Sequence, residues 1–274
     1  MLVRDYIVIG ILILMMVVWL VFKLQRSAQV KGLMTRKLGY RWTRYLKRNV
    51  VLYRDLPSRY YEKIHGYMNV FLHDKKFVGC EGLLITDEIR LTIAAQASIL
   101  LLYGDNEVYP EFHSIMVYPS AYYVTEDVNV GGGLMSTSKS LRVGESWQSG
   151  IVVLAWDEVL NNAQGESPGH NVVIHEFAHR LDQQNSDIEG VPLLDSAALY
   201  ERWARILGAE FDALVDKLEQ GEETVIDSYG ATSPAEFFAV VSEMYFAAPK
   251  LLVENHLPLY LQLDEFYQLD PVRW

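Results

Sequence analysis

One cysteine, Cys80, is all the chain has. That excludes an internal disulfide and any zinc cluster built on cysteine, and it fits a reducing compartment. Repeats at a 20–50-residue period are lacking, as is a low-complexity linker beyond residue 60, so solenoids and tethered modules drop out. Basic residues are scarce after the first quarter of the sequence. Residues 1–63 hold 13 Lys/Arg against Asp5, Asp55 and Glu62, a balance of +10; the other 211 residues carry 11 against 32, or −21. A region that acidic does not neutralise phosphates, and nucleic acid is not an expected partner.

What is present begins with an apolar run. Tyr6 to Phe22 is 17 residues without a charge, the short end of a membrane-spanning helix, with Trp19 and Lys23 placed to reach the interface. A secretory signal fits less well: Arg4 is the only basic residue before the run, and no small-x-small cleavage site follows it. The flank after the span carries Lys23, Arg26, Lys31, Arg36, Lys37, Arg41, Arg44, Lys47 and Arg48. The positive-inside rule then places the rest of the chain in the cytoplasm, as a single-pass protein of the inner membrane. The expected organisation is a tail at 1–5, an anchor at 6–24, a basic juxtamembrane segment at 25–54, and a catalytic domain at 55–274.

Within that domain, Leu56-Pro57 opens a helical pattern through about Leu72, and Thr86 to Leu102 repeats apolar residues at helical spacing. Short β-rich runs follow at Ile115–Tyr118, Tyr122–Val124 and Ile151–Trp156. Gly131-Gly132-Gly133 lacks the Gly-Lys-Ser/Thr ending of a phosphate loop and reads as a flexible turn or lid. Helices are expected at 172–184, about 195–219, 234–247 and as a final pair. The fold class is α+β, with the strands ahead of the helix that carries the chemistry.

That helix holds His175-Glu176-Phe177-Ala178-His179. Imidazoles four apart share one helix face and converge on one metal ion. Glu176, one position round, is poorly placed to bind that ion but reaches a water beside it as general base. Pro168-Gly169 breaks the chain before the helix and Asn171 is its expected cap. Two histidines leave a catalytic zinc one protein ligand short. The longer pattern with a glycine and a third histidine is absent, since Asp182 and Asn185 stand at those places. The third ligand must come from a later element, as in the gluzincin class of zincin-like metallopeptidases. Glu236 and Glu243 are the candidates, and seven residues on one helix separate them by about 10 Å, too far for both to bind one ion. Ser233-Pro234-Ala235-Glu236 also reads as a capping box, which gives Glu236 an alternative use. Asp182, Asp195 and Glu243 are candidates to orient a ligand histidine.

Asn-Val-Val-Ile-His-Glu-Phe-Ala-His-Arg-Leu-Asp and Tyr-Gly-Ala-Thr-Ser-Pro-Ala-Glu-Phe-Phe-Ala-Val resemble the two signatures of the Mlc titration factor A family. Leu84–Glu88, Ile93-Ala94-Ala95-Gln96-Ala97 and Gly144-Glu145-Ser146-Trp147 add to the resemblance, which covers roughly residues 55–271. The second signature is also similar to the metal helix of the anthrax lethal factor protease domain. The resemblance implies a zinc peptidase with His175, His179 and Glu236 as ligands, Glu176 as base and Tyr229 steadying the transition state. It further implies aminopeptidase action on small substrates and binding to a transcriptional repressor of the Mlc type. The apolar start lies outside it.

Overall fold

The computed structural model describes residues 2–104, 107–120, 123–129, 135–141, 150–185 and 190–274. Gly131–Gly133 and Gly144–Trp147 fall outside the described residues.

The chain opens with one long helix, α1 (Leu2–Met34). It is the one described helix long and apolar enough to cross a membrane, by length and composition, and its apolar side chains, such as Leu14, Trp19 and Phe22, are exposed. The helix does not stop where the apolar run stops. Val30, Leu33 and Met34 pack against the core, on α4 (Tyr61–Asp74). Arg26 pairs with Asp74 there, Gln29 Nε2 meets His73 Nε2 at 2.9 Å, and Asn69 Nδ2 donates to the Leu33 carbonyl at 3.2 Å. Gly66 makes that approach feasible, because a Cβ on it would lie 2.5 Å from the Met34 carbonyl oxygen.

The stretch expected as a basic juxtamembrane segment, 25–54, also contributes to the core. It holds the end of α1, then α2 (Tyr40–Asn49) and α3 (Val51–Asp55). Leu38, Leu46, Val50 and Tyr53 are buried, whereas Arg41, Arg44, Lys47 and Arg48 stay exposed. The charges had masked an amphipathic pattern: the apolar positions recur at helical spacing beneath a basic outer face.

Three parallel strands, β1 (Lys76–Gly79), β2 (Ser114–Tyr118) and β5 (Ile151–Ala155), form a sheet in the order β1-β2-β5. The crossover from β1 to β2 runs through α5 (Asp87–Ile99), capped by the Thr86 side chain. An antiparallel hairpin, β3 (Tyr123–Asn129) with β4 (Met135–Leu141), lies between β2 and β5 in sequence and forms its own sheet. From β5 onward the described chain is helical: α6 (Trp156–Gln164), α7 (Val172–Asp182), α8 (Ala197–Glu219), α9 (Pro234–Ala247), α10 (Pro249–Asn255) and α11 (Leu257–Tyr267). The mixed α+β class, with strands ahead of the motif helix, is what the structure shows. β1 and β4 are additions to the expected strands.

Two packing features fix the helices that matter. Phe177 of α7 sits among Phe71, Tyr109 and Phe112, with ring centroids at 5.5, 4.8 and 5.4 Å. The buried Lys75 braces that cluster from behind, its Nζ donating to the carbonyls of Tyr109 and Phe112. On the other side, α9 is buried along most of its length. Phe238 packs on Trp203, Phe237 on Phe211, and Tyr267 of α11 donates to Ser242 Oγ at 2.9 Å. α7 and α9 then pack directly on each other.

Candidate metal centre

α7 starts where it does because its free N–H groups are met by side chains. Asn171 Oδ1 accepts from Ile174 N at 3.0 Å, and Asn162 Oδ1 of α6 accepts from Val172 N at 2.9 Å. The helix buries Val172, Val173, Ile174, Phe177 and Ala178. That leaves His175 and His179 one turn apart, facing α9.

α9 begins with Pro234 in its first turn, and Ser233 caps it by accepting from Glu236 N at 3.2 Å. The capping box stays half closed. The Glu236 carboxylate leans instead toward the imidazoles, with Oε2 at 3.0 Å from His175 Nε2 and 3.3 Å from His179 Nε2. The two Nε2 atoms are 3.2 Å apart. One ligand atom each from His175, His179 and Glu236 therefore lies within 4.8 Å of the others, a grouping that could hold a metal ion. Glu236 Oε2 is buried and closes no hydrogen bond in spite of these short approaches. A buried carboxylate oxygen left without a partner beside two imidazole nitrogens is the kind of arrangement a cation would satisfy.

Glu243, two turns further along α9, meets the opposite edge of the same imidazole: its Oε1 is 2.7 Å from His175 Nδ1. Its Oε2 accepts the main-chain N–H of Asn171. A carboxylate at Nδ1 accepts a hydrogen bond from that nitrogen's N–H and leaves Nε2 with a lone pair free to bind a metal. Of the other candidates for this orienting part, Asp182 is buried at the end of α7 and Asp195 is exposed ahead of α8. The structure does not bring Asp195 to the histidines.

Glu176 is 4% exposed. Burial lifts it to about 7, against the pull of His175 and Arg180. Burial likewise drives His179 down to about 4. For Glu236 burial acts upward, but the two imidazoles outweigh it and hold the carboxyl at about 2. For His175 burial acts downward, and Glu236 with Glu243 outweighs it, raising the ring to about 10. The cluster thus concentrates negative charge on a position where a proton, or a cation, is favoured.

Tyr229 lies in a 3-10 turn, Ser228–Ala231, just ahead of α9. Asp227 Oδ1 accepts from its N–H at 2.8 Å, and Thr232 Oγ1 donates to its carbonyl at 2.7 Å, so the turn is tied at both ends. The Tyr229 ring lies 6.0 Å from the His175 ring, centroid to centroid. Partial burial and the Glu236 carboxylate keep its hydroxyl protonated, up to about 12. His170 Nε2 approaches Asp227 Oδ2 at 3.6 Å, linking the loops before α7 and before α9.

Sequence reasoning did not single out Gln96 and Asn162, which support the start of α7. The signal for Gln96 was there: an amide on an otherwise apolar stretch of a helix.

Comparison with known proteins agrees with this geometry. Residues 23–268 match the family described as glucose-regulated metallo-peptidase M90. Mlc titration factor A of Pectobacterium atrosepticum is 34% identical over 227 residues, covering 82% of this chain and 84% of that protein. Mlc titration factor A of Klebsiella pneumoniae is 34% identical over 206 residues, covering 74% and 77%. The uncharacterized protein slr2042 of Synechocystis sp. is 39% identical over 243 residues, 88% of each chain.

Proposed function

Since the chain belongs to the glucose-regulated metallo-peptidase M90 family, which includes the Mlc titration factor A proteins, we propose that it is a zinc peptidase of the gluzincin type, with His175, His179 and Glu236 holding the metal. The family makes it a metallopeptidase acting on peptides; the metal's identity and the part of each residue are our reading. The observation that carries it is the convergence of the three donor atoms. Tetrahedral bonds of about 2.0–2.1 Å put neighbouring ligand atoms about 3.3–3.4 Å apart, and the edges here are 3.0, 3.2 and 3.3 Å. Two nitrogens and one carboxylate oxygen are also the donor set of a catalytic zinc with an open position.

Zinc held there supplies a Lewis acid for the peptide carbonyl and acidifies water. The buried Glu176 accepts a proton from the attacking water and returns it to the leaving amine. Tyr229 donates its hydroxyl to the oxyanion as the carbonyl turns tetrahedral. Asp227 and Thr232 hold the turn that aims it. A screen of the purified full chain against a peptide library, with metal analysis, tests the whole reading. One zinc per chain and cleavage abolished by a chelator are expected; cleavage indifferent to the chelator would overturn it. The position of the cut in each product separates aminopeptidase action, which the resemblance implies, from internal cleavage.

We further propose that α1 anchors the domain in the inner membrane, with the domain on the cytoplasmic side. The positive flank supports that side, and the docking of Arg26, Gln29 and Leu33 on α4 supports a helix kept in the working protein. Labelling of Cys80 by a membrane-impermeant maleimide should require permeabilised membranes. Labelling in intact cells would place the domain outside.

A second reading rests on the relatives named Mlc titration factor A: a domain that sequesters a transcriptional repressor of the Mlc type. Catalysis and binding need not exclude one another, and the Glu176 substitution discussed below tells them apart.

A further inference from the structure

The stretch Ile93-Ala94-Ala95-Gln96-Ala97 on α5 takes no part in the chemistry just described, yet it buries an amide completely. Gln96 has no exposed surface. A buried amide is stable only with its hydrogen bonds made, and these run in one direction. Gln96 Nε2 donates to the Thr92 carbonyl at 3.1 Å, and its Oε1 accepts from Asn171 Nδ2 at 2.7 Å. Asn171, 1% exposed, caps α7 with its Oδ1 and donates its main-chain N–H to Glu243 Oε2. Glu243 Oε1 then receives His175 Nδ1 at 2.7 Å.

Each orientation in this line is forced. The Thr92 carbonyl can only accept, so Gln96 must turn its oxygen toward Asn171. The Ile174 N–H can only donate, so Asn171 must turn its NH₂ toward Gln96. The Asn171 N–H can only donate, so one Glu243 oxygen faces it and the other is left for His175. An ionised carboxylate accepts and never donates, so Nδ1 carries the proton and Nε2 the lone pair. A core that needed only bulk at this place would be served by leucine or methionine.

We infer that Gln96 is a positioning residue for the metal centre: through Asn171 and Glu243 it fixes the orientation and tautomer of His175. The inference rests on His175 being a metal ligand. It is tested on the full chain in detergent micelles, by competition for Zn²⁺ with a chromophoric chelator and by the visible spectrum of the Co²⁺-loaded protein. Gln96→Met keeps the volume and loses both bonds. Asn171→Ser keeps a helix cap and the N–H to Glu243, but loses the link to Gln96. Each should weaken Zn²⁺ binding about 10-fold and shift the Co²⁺ bands, and the double variant should be no weaker than either single one. Thr92→Val is the control. It removes the 3.0 Å contact with the Tyr45 hydroxyl but leaves the carbonyl that holds Gln96, so it should lower the unfolding temperature and leave Zn²⁺ affinity unchanged.

If Gln96→Met fails to fold, Asn171→Ser reads the same link from its other end. Wild-type affinity in both variants overturns the inference, as does a Thr92→Val protein that loses as much affinity as Gln96→Met. A wild-type chain that binds neither Zn²⁺ nor Co²⁺ removes the metal-centre reading itself, and this inference with it.

Discussion

Glu176→Gln should lower peptide hydrolysis by about 10²–10⁴-fold, the usual contribution of a general base, while zinc content and unfolding temperature stay at wild-type values. The amide matches the carboxylate in shape but cannot accept the proton. Its burial at 4% exposure already disfavours a charge at Glu176, so the neutral amide should be tolerated there. Loss of zinc in this variant would mean that Glu176 serves the metal rather than the water. Unchanged hydrolysis would remove it from the mechanism. Capture of a repressor of the Mlc type by this inactive variant, as strong as by wild type, would support the binding reading independently of catalysis. Tyr229→Phe in the same assay should reduce kcat with KM little changed, because its hydroxyl is needed only once the oxyanion forms.

Glu236→Ala should release the metal altogether, from about one zinc per chain to almost none after desalting, since two imidazoles alone do not make a catalytic zinc site. Glu243→Ala should act differently, weakening zinc by about 10–100-fold without abolishing it, as removal of a group that orients a ligand does. The contrast decides between two carboxylates that spacing in the sequence left open. Normal zinc in Glu236→Ala, with loss in Glu243→Ala, would reverse their roles. Removing Glu236 also strips the imidazoles of a counter-charge, so a small change in stability should accompany the metal loss and be reversed by no amount of added zinc.

The difference between those two residues shows what was legible beforehand. The His175–His179 pair, the Asn171 cap and the 234–247 helix could all be read from local pattern, because spacing, capping and Pro at the first turn act over a few residues. The placement of Glu236 against Glu243 could not. Their separation argued that only one reaches the ion, and the structure puts them on opposite edges of one imidazole, Nε2 and Nδ1. That depends on how α7 and α9 pack, a contact between segments about sixty residues apart. β4 escaped notice because Met-Ser-Thr-Ser-Lys-Ser-Leu lacks an apolar alternation, and β1 because four residues beginning with Lys76 give too short a signal. The buried positions of α2 and α3 were hidden under a dense run of arginine and lysine, which reads as solvated until Leu46 and Tyr53 are seen inside.

In the proposed mechanism one short stretch, from Tyr229 to Glu243, would deliver the oxyanion hydroxyl, a metal carboxylate and the carboxylate that aims His175. Whatever loosens the seam between α7 and α9 withdraws all three together. Heat or denaturant should accordingly silence the enzyme in a single step, with metal release and loss of turnover on the same curve, and no half-assembled species that binds the ion but cannot use it.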